Sequence, residues 1–205
     1  MVKQGYHHGN LRQALVESAI KLIEVHGRTG FSLSEAAKQA GVTPAAVYRH
    51  FEGRDDLIAE VALEGYKIFA DLMQFAYDKG QPSALAAFEA TGRAYLAFAR
   101  RYPGYYISMF ESGISVNRTP ELAAVSSKAR GILEQAAEDV GKHIPKSKSP
   151  PASMFSAHIL AMSHGVVELF ARNSPGTAGP YSPEELFETG ISVYLRGLGI
   201  LEKDI

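Results

Sequence analysis

Gly41-Val42-Thr43-Pro44 stops one helix and starts the next within four residues. A glycine just past a helix end takes the left-handed conformation that satisfies the last carbonyls. Thr43 is a good N-cap, and a proline at the first helical position loses nothing, because that N–H has no helical acceptor. Upstream, Ser32-Leu33-Ser34-Glu35 is a capping box: the Ser32 hydroxyl can accept from the Glu35 N–H while the Glu35 carboxylate reaches back to Ser32. The spacing therefore predicts a helix over 33–40, a three-residue turn, and a helix from Pro44 to about Phe51 that Glu52-Gly53 breaks. Two short helices so joined need a third element behind them. Leu11, Leu15, Ala19, Leu22 and Ile23 recur every three to four residues and supply it, a helix over 10–26 with Asn10 as N-cap and Gly27 as its stop.

The rest of the chain reads as helix too. A long helix opens at Arg54 or Asp55 and runs to about Lys79. Others are expected over about 82–102, 103–111, 120–143, 152–173 and 184–203, with polar, proline-rich loops at 144–151 and 173–183. No alternating strand pattern and no internal repeat interrupts them. The expected fold is all-α with about nine helices: a helix-turn-helix domain over 1–54 and a larger helical domain over 55–205. The 205 residues are enough for a substantial core, at 46% hydrophobic content.

Charge separates the two parts. Residues 1–54 carry seven Lys/Arg against four Glu, a net of +3, and residues 55–205 carry fourteen against eighteen, a net of −4. Four of the seven histidines also lie in the first part. A basic end on an acidic body suggests an anionic partner for that end. The chain has no cysteine, which excludes disulfides, thiolate metal sites and a cysteine nucleophile. No apolar run approaches a membrane span and the first residues carry no secretory pattern, so the expectation is a cytoplasmic protein with no membrane partner.

The helix at 44–51 carries the function. On a helical wheel Val47 and Phe51 fall together, with Pro44 nearby, as the buried edge. Ala45, Ala46 and Arg49 take the opposite side, and Tyr48 and His50 the flanks. Small side chains let a backbone approach the base edges of a major groove, and an alanine methyl can touch a thymine methyl. Arg49 is the long donor on that side, suited to guanine or to phosphate. Tyr48, His50, Thr43 and the N-terminal amides of this helix can reach phosphates. Lys3, Tyr6, His7, His8 and Arg12 form either a DNA-reaching arm or a frayed end.

"FSLSEAAKQAGVTPAAVYRHFEGRDDLI" (31–58) resembles the DNA-binding domain of the TetR family of transcriptional regulators, a likeness covering roughly residues 9–60. Its markers are the Gly27 and Gly30 corner, Ala36-Ala37 followed by Gly41-Val42, and the Tyr-x-His-Phe run followed by a basic residue and Asp-Leu. The resemblance implies DNA contact by Ser34, Thr43, Pro44, Ala45, Ala46, Tyr48 and His50, with Arg54 on phosphate. It also implies a homodimer formed by the last two long helices and a C-terminal domain that binds a small-molecule effector. "AMSHGVVELF" (161–170) is similar to the His-Gly signature of one group of such C-terminal domains, although the chain has no tryptophan before that pair.

The candidate effector residues are Tyr95, Tyr102, Tyr106, Met109, Phe110, Phe155, His158 and His164, an aromatic and methionine set that suits an organic molecule of modest polarity. Glu111, Arg93 and Arg100 could pair a charged one. Gly190, Gly197 and Gly199 follow no strand and are not a nucleotide-binding loop; they suit close helix–helix contact. His158 and His164 lack the spacing of metal ligands, and no cofactor motif or assembled catalytic group is present. The expected protein is not an enzyme but a ligand-responsive regulator of double-stranded operator DNA, most simply a repressor. The competing reading is a small-molecule-binding or scaffold protein whose N-terminal domain binds protein.

Overall fold

The computed structural model describes residues 11–27, 30–171 and 180–201. Among them are nine α-helices and no strand: α1 (Leu11–His26), α2 (Leu33–Gln39), α3 (Pro44–Val47), α4 (Arg54–Gly80), α5 (Ala84–Arg101), α6 (Pro103–Phe110), α7 (Pro120–Gly141), α8 (Ala152–Val166) and α9 (Pro183–Leu198). A π-helical turn, Val167–Ala171, follows α8. The expected Asn10 cap and the residues Lys3, Tyr6, His7 and His8 lie outside the described residues. No helix among the described residues is long and apolar enough to cross a membrane.

The chain forms two compact units, one of residues 1–68 and 102–126, the other of 69–101 and 127–205. In the first, α1, α2 and α3 close on a core of Leu15, Val16, Ala19, Ile23, Phe31, Leu33, Ala36, Ala37, Val47 and Phe51, joined by Leu57, Ile58 and Val61 of α4 and Ile107 of α6. The alanines of α2 are wholly buried, which is why this short helix carries Ala-Ala on its inner face. The α6 helix lies tight on α1: a methyl group at Gly104 would stand 2.8 Å from Ile20 Cγ2. Glycine at Gly65 gives α4 the same closeness to Tyr105 and Met109.

Aromatic rings fill the second unit. Phe69 meets Tyr95 edge-on at 5.5 Å and Phe98 at 4.9 Å. Phe88, Phe155 and Tyr194 stack in series, with centroids 6.0 and 5.8 Å apart and planes within 18°. Gly92 admits the Phe187 ring, whose Cε1 lies 2.5 Å from where a Cβ would be.

Two helix ends differ from the sequence reading. Regular helix in α3 ends at Val47, because the His50 N–H bonds the Val47 carbonyl three residues back and tightens the chain into a turn. The Phe51 N–H still reaches the same carbonyl at 3.0 Å, so Phe51 keeps its expected inward direction. The last helix stops at Leu198, not at 203, because Gly199 adopts φ +80° and the Ile200 N–H bonds the Leu195 carbonyl. Gly199 is thus a helix stop rather than a glycine for helix–helix approach. After Val166 α8 passes into the π-turn, which runs to Ala171; the expected end at 173 lies outside the described residues.

Candidate DNA interface and effector region

The reading element is built from the capping signals upward. The Ser32 hydroxyl accepts from the Glu35 N–H at 3.2 Å, and the Glu35 carboxylate accepts from the Ser32 N–H at 2.7 Å, which holds that carboxyl below its usual range. This fixes the start of α2 and leaves Ser34 exposed on its outer face. Gly41 takes φ +72°, which an L side chain resists. Thr43 then caps α3 with its backbone only. Its side chain makes no cap hydrogen bond, so the exposed hydroxyl is left for an outside acceptor.

Beyond the turn, inner and outer faces separate sharply. Val47 is fully buried and Phe51 is 3% exposed, whereas Tyr48 is 62% exposed. Ala45 and Arg49 are exposed, and Ala46 and His50 are half-buried. Pro44 is exposed rather than part of the buried edge; with Thr43 and Ala45 it belongs to a first turn that faces solvent as a whole. Thr43, Pro44, Ala45, Tyr48 and Arg49 thus form a continuous exposed strip backed by core.

Arg54 is not an extended cation. Its guanidinium lies over Gly30, where a Cβ would sit 1.7 Å from Nη2, and 5.7 Å from the centre of the Phe31 ring. Its Nε is buried with no hydrogen-bond partner. Gly30 stands at φ +75°, a conformation an L side chain resists, and a side chain there would displace the Arg54 guanidinium.

Sequence reading did not find the charged ties behind the turn. Arg12 donates from Nη1 to the His50 carbonyl at 3.1 Å and from Nη2 to Glu60 at 2.7 Å, and it stacks 4.6 Å from the Phe51 ring centre. Asp56 accepts from the Glu52 N–H at 3.1 Å and from Arg118 Nε at 3.0 Å. The partners of Arg12 and Arg118 lie 38 to 62 residues away, so no sequence spacing announces those ties; Glu52 and Asp56 are four apart.

The eight candidate effector residues divide between the units. Tyr102, Tyr106, Met109 and Phe110 belong to the first, where Tyr106 is fully buried, tilted on Phe110 at 5.0 Å, and Phe110 meets Tyr66 edge-on. Their neighbour Tyr105 donates to Glu64 at 3.2 Å, and burial, with Glu64 second, pushes its hydroxyl up to about 12. Tyr95, Phe155, His158 and His164 belong to the second. The Tyr95 hydroxyl stands 3.0 Å from His164 Nδ1, and burial lowers the His164 pKa against a smaller opposing effect of Glu168. A neutral imidazole keeps one ring nitrogen as an acceptor for that hydroxyl. His158 is exposed and meets the Tyr194 hydroxyl at 2.7 Å. Arg93 pairs with Glu89 and Glu188, and Arg100 with Glu184.

A cavity of about 40 Å³ adjoins Tyr95, walled by Phe88, Thr91, Leu133, Ile159 and Leu160. It has room for a few waters and is well below the several hundred Å³ of an organic-ligand pocket. An open groove of about 380 Å³ runs along Leu133, Ser153, Ala157 and Leu160.

Comparison with known proteins decides the family. A family model described as "Tetracyclin repressor-like, C-terminal domain" matches residues 88–194, and one described as "Bacterial regulatory proteins, tetR family" matches residues 15–61. The chain belongs to the TetR family. It is 29% identical over 99 residues to the uncharacterized HTH-type transcriptional regulator YobS of Bacillus subtilis, spanning 48% of this chain and half the length of that protein. It is 25% identical to the nucleoid occlusion factor SlmA of Vibrio vulnificus over 90% of this chain and 93% of the other. Among solved structures, the TetR-family regulator PfmR of Thermus thermophilus shares the fold with a TM-score of 0.70 at 19% identity, covering 92% of this chain and 99% of that one.

Proposed function

We propose that this TetR-family member is a homodimeric, ligand-responsive repressor whose exposed strip on α2 and α3 reads operator DNA. The observation that carries the reading is the two-sidedness of α3 and its following turn, with Val47 and Phe51 in the core and Pro44, Ala45, Tyr48 and Arg49 in solvent. Ala45 and Ala46 give the backbone clearance at the base edges. Tyr48, Thr43, Ser34 and His50 bond phosphates, and Arg49 reads a base or holds a phosphate. Arg54 adds positive charge near the backbone while bracing the Gly30 corner. The division of labour places reading in 1–54 and effector binding and dimerisation in 55–205, in a cytoplasmic protein.

Dimerisation through α8 and α9 is supported by the apolar groups left outside. Met154, Leu160, Leu169, Phe170 and Val193 are each at least 41% exposed, and methyl groups at Gly165, Gly190 and Gly197 would meet nothing within 4 Å. Glycines with no neighbour among the described residues of their own chain suit a second copy at close range. The effector region centres on Tyr95 and His164, and its small cavity has to enlarge to take a ligand. Coupling is reciprocal, so bound operator weakens effector binding by the factor by which effector weakens operator binding.

The test is selection of duplexes from a random-sequence library by the purified protein, followed by a salt titration. Enrichment of a palindromic duplex, with the logarithm of affinity falling linearly with the logarithm of salt concentration, is expected. No enriched duplex would favour a protein-binding role for the N-terminal domain.

A further inference from the structure

We propose that Arg12 is a positioning residue for DNA recognition: it aims the Tyr48–His50 turn from behind and does not itself touch phosphate. The inference rests on the regulator reading above.

Regular helix in α3 gives out at Val47, so the carbonyls that follow need donors from outside the helix. Arg12 supplies one to His50 at 3.1 Å. A guanidinium presents donors in a rigid planar fork and an apolar face. Here one arm meets the His50 carbonyl, another meets Glu60 at 2.7 Å, and the face lies 4.6 Å from the Phe51 ring centre. Three anchors at different angles leave the group one orientation. Just past this point the chain is tied again, by the Glu52 N–H on Asp56, which Arg118 also holds. The backbone that carries Tyr48, Arg49 and His50 is therefore fixed from α1 on one side and α4 on the other. Glu60 meanwhile neutralises the Arg12 charge, which suits a brace and not a phosphate ligand.

The two roles give opposite signs on removing Glu60. If Arg12 touched phosphate, Glu60→Ala would release it and delete a nearby negative charge, and binding would tighten. If Glu60 orients a brace, binding weakens although the protein has become more positive. Arg12→Lys separates them again. Lysine keeps the charge that a phosphate needs and loses the fork and the flat face.

The probe is a duplex selected by the wild-type protein from a random-sequence library, compared with a mixed-sequence duplex across salt. Expected for Glu60→Ala, Arg12→Lys and Arg12→Ala alike is a loss of about tenfold or more on the selected duplex. The salt slope should stay as in the wild type, whereas removing a phosphate ligand from both copies would make it shallower by about 2. In the DNA-free protein, hydrogen exchange at the His50, Phe51 and Glu52 amides should quicken in Arg12→Ala at an unchanged melting temperature. If the wild-type protein selects a duplex, an equal or tighter affinity in Glu60→Ala or Arg12→Lys overturns this inference alone. A wild-type protein that selects no duplex overturns the regulator reading and this inference with it.

Discussion

The outer strip of α3 and the aromatic set assigned to an effector differ in what they leave for a partner. On α3 and the turn that follows it, core and outward-facing residues point to opposite sides: Phe51 is 3% exposed and Tyr48 62%. Around Tyr95 and His164 the same aromatic chemistry faces inward, and the polar groups already meet each other. One region is a finished surface; the other is a packed interior that would have to rearrange to admit a ligand.

The largest effects should come from treating the two faces of α3 alike. Phe51→Ala should cost about 3–5 kcal/mol of stability in urea unfolding, because it empties a core position that Arg12 also covers. An equal loss on removing an exposed neighbour such as Arg49 would break the comparison.

Next come the glycines. A methyl at Gly92 collides with the Phe187 ring, so Gly92→Ala should destabilise the second unit by about 1–3 kcal/mol in thermal unfolding. The same change at Gly190 meets open space, and as an isolated helix substitution it should stabilise by up to about 1 kcal/mol. If α9 packs closely on a second copy, Gly190→Ala should instead weaken the dimer, read by sedimentation at decreasing concentration.

Tyr95→Phe sharpens the interior side. It removes the hydroxyl that His164 meets and should cost about 1–2 kcal/mol. His164 also sets a pH dependence. Its folded pKa lies below the ordinary 6.5, so the unfolded chain binds more protons in that window. Stability is complete above 6.5 and falls as the pH drops toward the folded value. In His164→Gln that slope should vanish from denaturant midpoints measured across the window.

Much of the first unit was legible because its signals are local. The capping box at Ser32, the Gly41 stop and Pro44 at N1 each depend on neighbours a few residues away, and each appears where the spacing puts it. The wheel failed at Pro44, since a first turn standing in solvent has no buried edge. Arg54 drew its role from resemblance, while its side chain folds over Gly30, an arrangement no local pattern encodes. The ties from Arg12 and Arg118 were illegible for the same reason. The candidate effector residues from Tyr95 to Phe110 form one set in the sequence but fall into two compact units, a division that depends on how distant segments meet.

The most direct measurement sets Tyr48→Ala against the wild type in two assays, thermal unfolding and binding to a duplex selected by the wild type. An exposed side chain with no core role should shift stability by no more than about 0.5 kcal/mol. Binding to the selected duplex should weaken by about tenfold or more. Unchanged binding by a folded Tyr48→Ala protein, or a loss of binding that merely follows a loss of stability, would contradict the claim that the outer face of α3 is the reading surface.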